Sequence, residues 1–419
     1  MTINDREFDV IVWGATGFTG RLTAAYLLER HGVGSTLRWA LGGRSERKLE
    51  QVRSELAGEC GIPTERLPIV LADAGDEASI RALTARTRVV CTTVGPYALH
   101  GSPLVAACAE GGTHYCDLTG EAHWMRRMID IHEDAARSSG ARIVFACGFD
   151  CIPADLGTFF LQNEMQARHG VTAREVKFRV KVFSGGASGG TIASMLNMLE
   201  EGSRDREVLR IMRDPYALNP PSARSGPDEP ERMRPAWDPD FGEWVAPFVM
   251  AVVDTKVVRR TNAVLDFAYG RDFRYNEAML TGRGPAGFAR ASGVAASLAA
   301  TMTAMSIGPV RRFVAPRLPA PGDGPSREAR EKGYFDLRFL GRHPTDPTKN
   351  LRARVTGDRD PGYGSTSRML GESAACLALD DLPARAGMLT PAAAMGEALL
   401  LRLQKNAGLS FTIGSEENG

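Results

Sequence analysis

The sequence predicts an α/β protein, with a doubly wound parallel sheet at the N-terminus and a second, α+β domain after it. Three observations predict this. Residues 8–147 alternate six short β-branched runs with amphipathic helical stretches, the pattern of parallel strands covered by helices on both faces. The first strand run leads directly into a glycine-rich turn that opens a helix. After Cys151 that rhythm stops, and longer strand patterns with one polar face take over.

The elements follow in order. Residues 8–13 read as a buried strand, and 18–30 as a helix with Phe18, Leu22, Ala25 and Leu28 on one face, stopped by Gly32. Residues 38–42 form the second strand. Ser45 caps the next helix, whose inner face is Leu49, Val52 and Leu56. Strands follow at 67–72 and 88–94, then a helix through 104–109 that ends at Gly111-Gly112. Residues 115–118, a helix over 122–137 and residues 142–147 complete the first domain, which right-handed crossovers wind both ways. In the second domain, 175–183 alternates like a half-solvated strand and 184–190 is a glycine-rich loop. The proline-rich, charged stretch 214–239 reads as a surface excursion. Residues 273–280, 334–340 and 351–355 read as antiparallel strands of a mixed or antiparallel sheet. Two closing helices, 366–379 and one capped by Thr390 that runs to 403, are expected to pack back on the first domain. The boundaries are 1–152, 153–365 and 366–419.

Composition narrows the function classes. The 419 residues hold enough apolar material, 43%, for a large core, and the formal charge of +1 offers no field for nucleic acid. The first six residues are polar and the first apolar run is too short for a signal peptide. Seven scattered cysteines imply reduced thiols and a cytoplasmic setting. Cys147 and Cys151 lack the further ligands a closed metal site needs, so no metal is expected. Residues 291–310 contain no charge, and Val294, Leu298, Met302 and Met305 fall on one helical face. The leading expectation is a helix in the core or at a homodimer contact. The second is a peripheral helix on the inner face of the plasma membrane, with Arg290, Arg311, Arg312 and Arg317 at its flanks. A membrane span ranks last, because large aliphatic residues are sparse.

The chemistry is carried by Gly14-Ala15-Thr16-Gly17-Phe18-Thr19-Gly20. Gly14 permits a tight turn, Gly17 lets the backbone approach a pyrophosphate, and Gly20 lets helix pack on strand. The amides at Thr16 to Gly20 then face the phosphates. At the end of the second strand stand Gly43-Arg44-Ser45, with no acid for a ribose 2′-hydroxyl. Arg44 offers a planar cation for a 2′-phosphate and Ser45 a further donor, so NADPH is the expected cofactor. Asp73 ends the third strand, either beside the adenine or as a helix cap. Val94, Gly95 and Pro96 end the fourth and would wall the nicotinamide ribose; Tyr97 is the first candidate proton donor. Asp117 and Asp150 end the fifth and sixth strands, where a doubly wound sheet places its crevice. His100, His114 and His123 lack partners at triad or metal spacing and read as structural.

These motifs, with Asp117-Leu118-Thr119-Gly120-Glu121, Gly148-Phe149-Asp150-Cys151-Ile152-Pro153, 188–194, 258–263, 273–275 and 389–396, resemble the saccharopine dehydrogenase-like oxidoreductases, and within them the mycobacterial trans-acting enoyl reductases. The resemblance spans nearly the whole chain. It implies a Rossmann domain, NADPH, and reduction of a C=C bond in an acyl thioester held on a polyketide synthase carrier domain, for cell-envelope lipids. The glycine-rich loop 184–191 would supply amides to the thioester oxygen. Two rival expectations stand beside this one. The first is a saccharopine-type amino-acid dehydrogenase; the second is a lipid-associated protein that binds NADPH without turnover.

Overall fold

A computed structural model describes residues 3–184, 189–314 and 324–414. In chain order the strands are β1 (Phe8–Trp13), β2 (Trp39–Gly43), β3 (Ile69–Leu71), β4 (Thr87–Thr92), β5 (His114–Cys116), β6 (Arg142–Val144), β7 (Glu175–Ser184), β8 (Ala236–Asp238), β9 (Glu243–Ala246), β10 (Arg274–Gly282), β11 (Tyr334–Arg342), β12 (Leu351–Gly357), β13 (Gly387–Leu389) and β14 (Leu409–Ile413). Six of the N-terminal strands and β13 make one parallel sheet in the order β13-β6-β5-β4-β1-β2-β3. The chain order reverses between β1 and β4, so the carboxyl ends of those two strands open a crevice.

Strand alternation divides the core. Val10 and Val12 face the helices Phe18–His31, Glu46–Cys60 and Thr366–Leu379, in a cluster that continues into the second sheet. Phe8, Ile11 and Trp13 face the side that holds Leu83, Leu104 and Trp124. β1 begins and ends where the sequence places it. β6 stops at Val144, short of the expected Cys147, because Ala146 turns to φ +60° and the Asp117 carboxylate takes its N–H at 2.9 Å. The inner face of helix Phe18–His31 is Thr23, Ala24, Leu27 and Leu28, one position away from the expected stripe; Phe18, Leu22 and Ala25 are half-buried. The helix is covered twice, by the sheet and by helix Thr366–Leu379, where the Tyr26 hydroxyl donates to Glu372 at 2.6 Å.

The second sheet has the order β14-β12-β11-β7-β10-β9-β8. It is mixed: β10 runs parallel to β7, and the other neighbours are antiparallel. Helix Ile152–His169 lies on it and against helix Pro391–Asn406, which Thr390 caps as expected. The C-terminal segment thus divides between the sheets, β13 extending the first and β14 the second. Neither strand is expected from the sequence, since each is only a few residues long beside a stronger helical pattern.

Two expectations are corrected here. Stretch 214–239 is only in part a surface excursion: Ala217 and Leu218 are fully buried, and Asp228 pairs with buried Arg259 at 2.7 Å. Asp228, Glu231 and Asp238 are internal partners, while Glu229, Arg232 and Arg234 stay exposed. The helix Gly284–Ser306 is not a core helix; within it only Gly287, Ala291 and Met305 are buried. Arg260 ties the first correction to the fold. It is 2% exposed, donates to the carbonyls of Leu218 and Met388, and pairs with Glu133 at 3.2 Å. It therefore fastens stretch 214–239 and β13 to helix Ala251–Val264. Arg260→Ala strands two carbonyls and a carboxylate, and should lower urea-unfolding stability by about 3–5 kcal/mol; a loss below about 1 kcal/mol would show that this link is not needed.

Candidate active site

The crevice floor is built from the carboxyl ends of β1, β4, β5 and β6. After β1, Gly14 takes φ +88°, and any Cβ there would lie 2.6 Å from the Val94 side chain. Gly20 sits on the turn so closely that a Cβ would be 2.2 Å from the Gly14 carbonyl oxygen. Both positions demand glycine. Helix Phe18–His31 starts here with Gly17 as its cap and no side-chain hydrogen bond to it, so its first amides need an external acceptor. Thr16 is exposed, and Gly17 and Thr19 are half-buried at this opening. Phe18 contributes backbone only: its ring packs against Tyr363 at 5.3 Å, with the Arg330 guanidinium 5.5 Å from it.

Beside the turn, Arg44 is exposed and forms no hydrogen bond or ion pair with any described residue. Ser45 occupies the N-cap of helix Glu46–Cys60, yet its hydroxyl makes no cap bond and remains available. Asp73 closes its own turn, accepting from Gly75 N at 2.9 Å; the cap of the next helix is Asp76. The open cradle, an uncommitted cation and the missing acid at the end of β2 fit a dinucleotide with a 2′-phosphate.

The loop after β4 forms the far wall. Val94 and Pro96 are half-buried and Gly95 is exposed. Tyr97 lies beneath them. Its hydroxyl sits 3.4 Å from the Thr92 carbonyl and 3.4 Å from Leu118 N, its ring packs 5.6 Å from Trp124, and burial pushes its pKa well above 10. Tyr97 is therefore a support of the wall and not a ready acid. Asp117 is also internal. It is fully buried, accepts from Tyr115 OH (2.7 Å), Thr119 N (3.1 Å) and Ala146 N (2.9 Å), and burial raises its pKa to about 7. It staples β5 to the turn after β6 and presents no oxygen to the crevice.

Asp150 is placed differently. It is half-buried at the mouth of the turn after β6, with no hydrogen bond to any described residue, and its carboxylate oxygen is 3.9 Å from where a Gly120 Cβ would stand. Desolvation alone raises its pKa to about 7. Beside it Phe149 packs on Phe183 (5.4 Å) and Phe335 (4.9 Å), which brings the ends of β7 and β11 over the crevice. Phe183 is exposed there; Val182 and Tyr334, paired with Asp336 and Ser184, lie on the opposite face of the sheet. On that opposite face Asp336 pairs with Arg338 and Arg354.

One organising residue is missing from the sequence-based set. Glu121 is 1% exposed, and its two oxygens accept the N–H groups of Tyr97 and Ala98, each at 2.9 Å. Its carboxyl also hydrogen-bonds Ser194, whose oxygen is 3.5 Å from where a Gly95 Cβ would stand. Glu121 thus joins the wall to helix Gly189–Arg204. A second acid four residues after Asp117 is the signal that could have found it. Loop residues 185–188, assigned to the thioester oxygen, lie outside the described residues.

A family model described as the saccharopine dehydrogenase NADP binding domain matches residues 10–144. A Mycobacterium tuberculosis (H37Rv) protein named for trans-acting enoyl reductase activity is 44% identical over 98% of both chains. The trans-acting enoyl reductase of Mycobacterium bovis (BCG Pasteur) is 40% identical, over 96% of this chain and 97% of its own. The chain belongs to the saccharopine dehydrogenase-like trans-acting enoyl reductases. Saccharopine dehydrogenase (L-Glu forming) from Saccharomyces cerevisiae shares the fold, with a TM-score of 0.50 at 10% identity, over 97% of this chain and 100% of its own. As an NADP-dependent oxidoreductase of this family, the chain carries its cofactor domain in the first sheet.

The raised Asp117 pKa has a stability consequence. Its folded value, about 7, lies above an unfolded value near 3.9. The folded state therefore holds an extra proton between those values, and stability is fully present below about pH 4 and lost as pH rises through 7. Asp117→Asn keeps acceptors for the two amides and removes that proton. Its unfolding free energy should decline less steeply between pH 4 and 7, by up to about 1.4 kcal/mol per pH unit; parallel curves for the two proteins would place the Asp117 pKa near its ordinary value.

Proposed function

We propose that this enzyme uses NADPH to reduce the C=C bond of an α,β-unsaturated acyl thioester presented on a polyketide synthase carrier domain. The observation that carries this reading is the position of Asp150: a carboxyl poised to be protonated near neutral pH, in the turn after β6, facing Gly120 and next to Phe149, which packs on Phe183. The turn of Gly14, Gly17 and Gly20, with the amides of Thr16, Phe18, Thr19 and Gly20, would hold the pyrophosphate; the Gly17 N–H closes the turn on the Gly14 carbonyl. Arg44 and Ser45 would hold the 2′-phosphate, Asp73 would border the adenine, and Val94, Gly95 and Pro96 the nicotinamide ribose. When bound, NADPH supplies a hydride to the β-carbon of the thioester.

The chain's own part is to orient the acyl group and move one proton. Phe183, packed on Phe149, covers the apolar chain and excludes water. Asp150 donates its proton to the α-carbon as the enolate charge collapses, which completes addition of H⁻ and H⁺ across the double bond. Asp117 and Glu121 hold the loops that carry these groups.

Two measurements test the reading. In a fluorescence titration NADPH should bind at least ten-fold more tightly than NADH, about 1.4 kcal/mol, and Arg44→Ala should erase that preference while leaving NADH binding unchanged. Equal affinities in the wild type would remove Arg44 from the site. With an enoyl thioester, Asp150→Asn should lower kcat by about 100-fold or more with NADPH affinity intact, and wild-type kcat should fall as pH rises through about 7 as the donor loses its proton. Tyr97→Phe should change kcat by less than about two-fold. Loss of turnover in Tyr97→Phe with retention in Asp150→Asn would reverse the assignment; oxidation of NADPH only with an oxo acid and an amino acid would replace the reaction.

A further inference from the structure

Gly284–Ser306 is the longest helix among the described residues, and it contains no charge after Arg290. A helix so apolar around its circumference normally sits inside a protein or against lipid. Here it lies along β9 at the edge of the second sheet and mostly faces outward. Its apolar surface continues onto neighbours: the Phe288 ring is 4.8 Å from Trp244, and Trp244 is 5.9 Å from Trp237. Phe288, Trp237, Met302 and Ile307 are all exposed by 39–50%.

The helix and its flanking segment carry charge of one sign. Between Glu277 and Asp323 the chain carries Arg283, Arg290, Arg311, Arg312 and Arg317 and no acid. Arg283, Arg290 and Arg312 are exposed. Of the acids on the adjoining strands, Asp238 is buried against Arg179 and Glu243 pairs with Lys181. A symmetric contact with a second copy would set these arginines against one another. No helix among the described residues is long and apolar enough to cross a membrane.

We propose that this face seats the protein on an anionic phospholipid surface. The helix lies in the headgroup plane, Phe288, Trp244 and Trp237 enter at headgroup depth, and the arginines meet lipid phosphates. The inference is independent of the reaction, yet it orients the site. Helix Gly189–Arg204, which sets Ser194 over Gly95, packs against the docking helix, and Arg311 reaches its Glu200 at 3.8 Å. The seated lobe therefore holds the crevice beside the lipid.

The test is flotation of the full-length protein with phosphatidylcholine vesicles, with and without about 30 mol% phosphatidylglycerol. Binding should require phosphatidylglycerol and weaken with salt. Arg290→Ala and Arg312→Ala should each weaken it about five-fold. Phe288→Glu combined with Ile307→Glu should abolish it while thermal melting and NADPH binding persist. If that double variant does not fold, wild-type tryptophan emission decides: a blue shift on adding vesicles supports docking, and an unchanged spectrum overturns it. No vesicle binding by the wild type, or equal binding by a folded double variant, overturns the proposal. So does a dimer that the double variant dissolves, or capture of an acidic carrier domain, when vesicles are not bound.

Discussion

The crevice depends on a single close approach. The Gly20 Cα rests against the Gly14 carbonyl, where a Cβ would come within 2.2 Å. That contact sets the first turn of helix Phe18–His31 against the end of β1 and aims its unpaired amides outward. The same carbonyl accepts the Gly17 N–H at 2.9 Å, which closes the turn, while Gly17 offers no capping side chain. The rest of the molecule holds the helix in place from behind. Helix Thr366–Leu379 packs on its outer face, and the bond from Tyr26 to the fully buried Glu372 locks the pair. A phosphate-binding element of the first domain is thus braced by residues almost at the other end of the chain.

Buried carboxyls do two kinds of work around this frame. Asp117 and Glu121 spend their oxygens on backbone amides of the crevice loops, Glu121 on Tyr97 and Ala98, Asp117 on Thr119 and Ala146. Such acids trade a desolvation penalty for loop geometry. Asp155 does the same deeper in, accepting from Ala392 N at 2.8 Å. Asp150 shares the raised pKa but has no such bonds among the described residues. A carboxyl that is desolvated and not tied to the fold can afford to give up a proton.

Much of the first domain was legible because its signals are local. A strand, a glycine turn and a helix occur within 24 residues, Phe8 to His31, and each constrains the next. Arg44 stands exposed just past the end of β2, where the strand pattern puts it. The burial of Tyr97 and Asp117 was not legible, because sequence gives the strand end but not the direction of the side chain. Both point beneath the wall. Stretch 214–239 misled because Asp228 and Glu231 resemble solvated charges; their partner, Arg259, stands further along the chain. The small strands β13 and β14 exist only through pairing with distant neighbours.

Helix Gly284–Ser306 raises the same issue from the opposite side. Composition alone places it in a core, because apolar residues leave water when they can. Its neighbours leave it exposed, and its small residues limit what burial would return: Ala, Gly and Ser bury little area each. A helix of this kind is cheap to expose and poor at gripping a protein partner, which needs large anchors in pockets. Two of its most exposed large residues stand at its ends, Phe288 with Trp244 at one and Ile307 just past the other, beside the arginines. Shallow apolar contact flanked by positive charge suits a fluid, negatively charged surface better than a shaped one. On that account the second domain does more than close the crevice: it determines which surface the crevice faces.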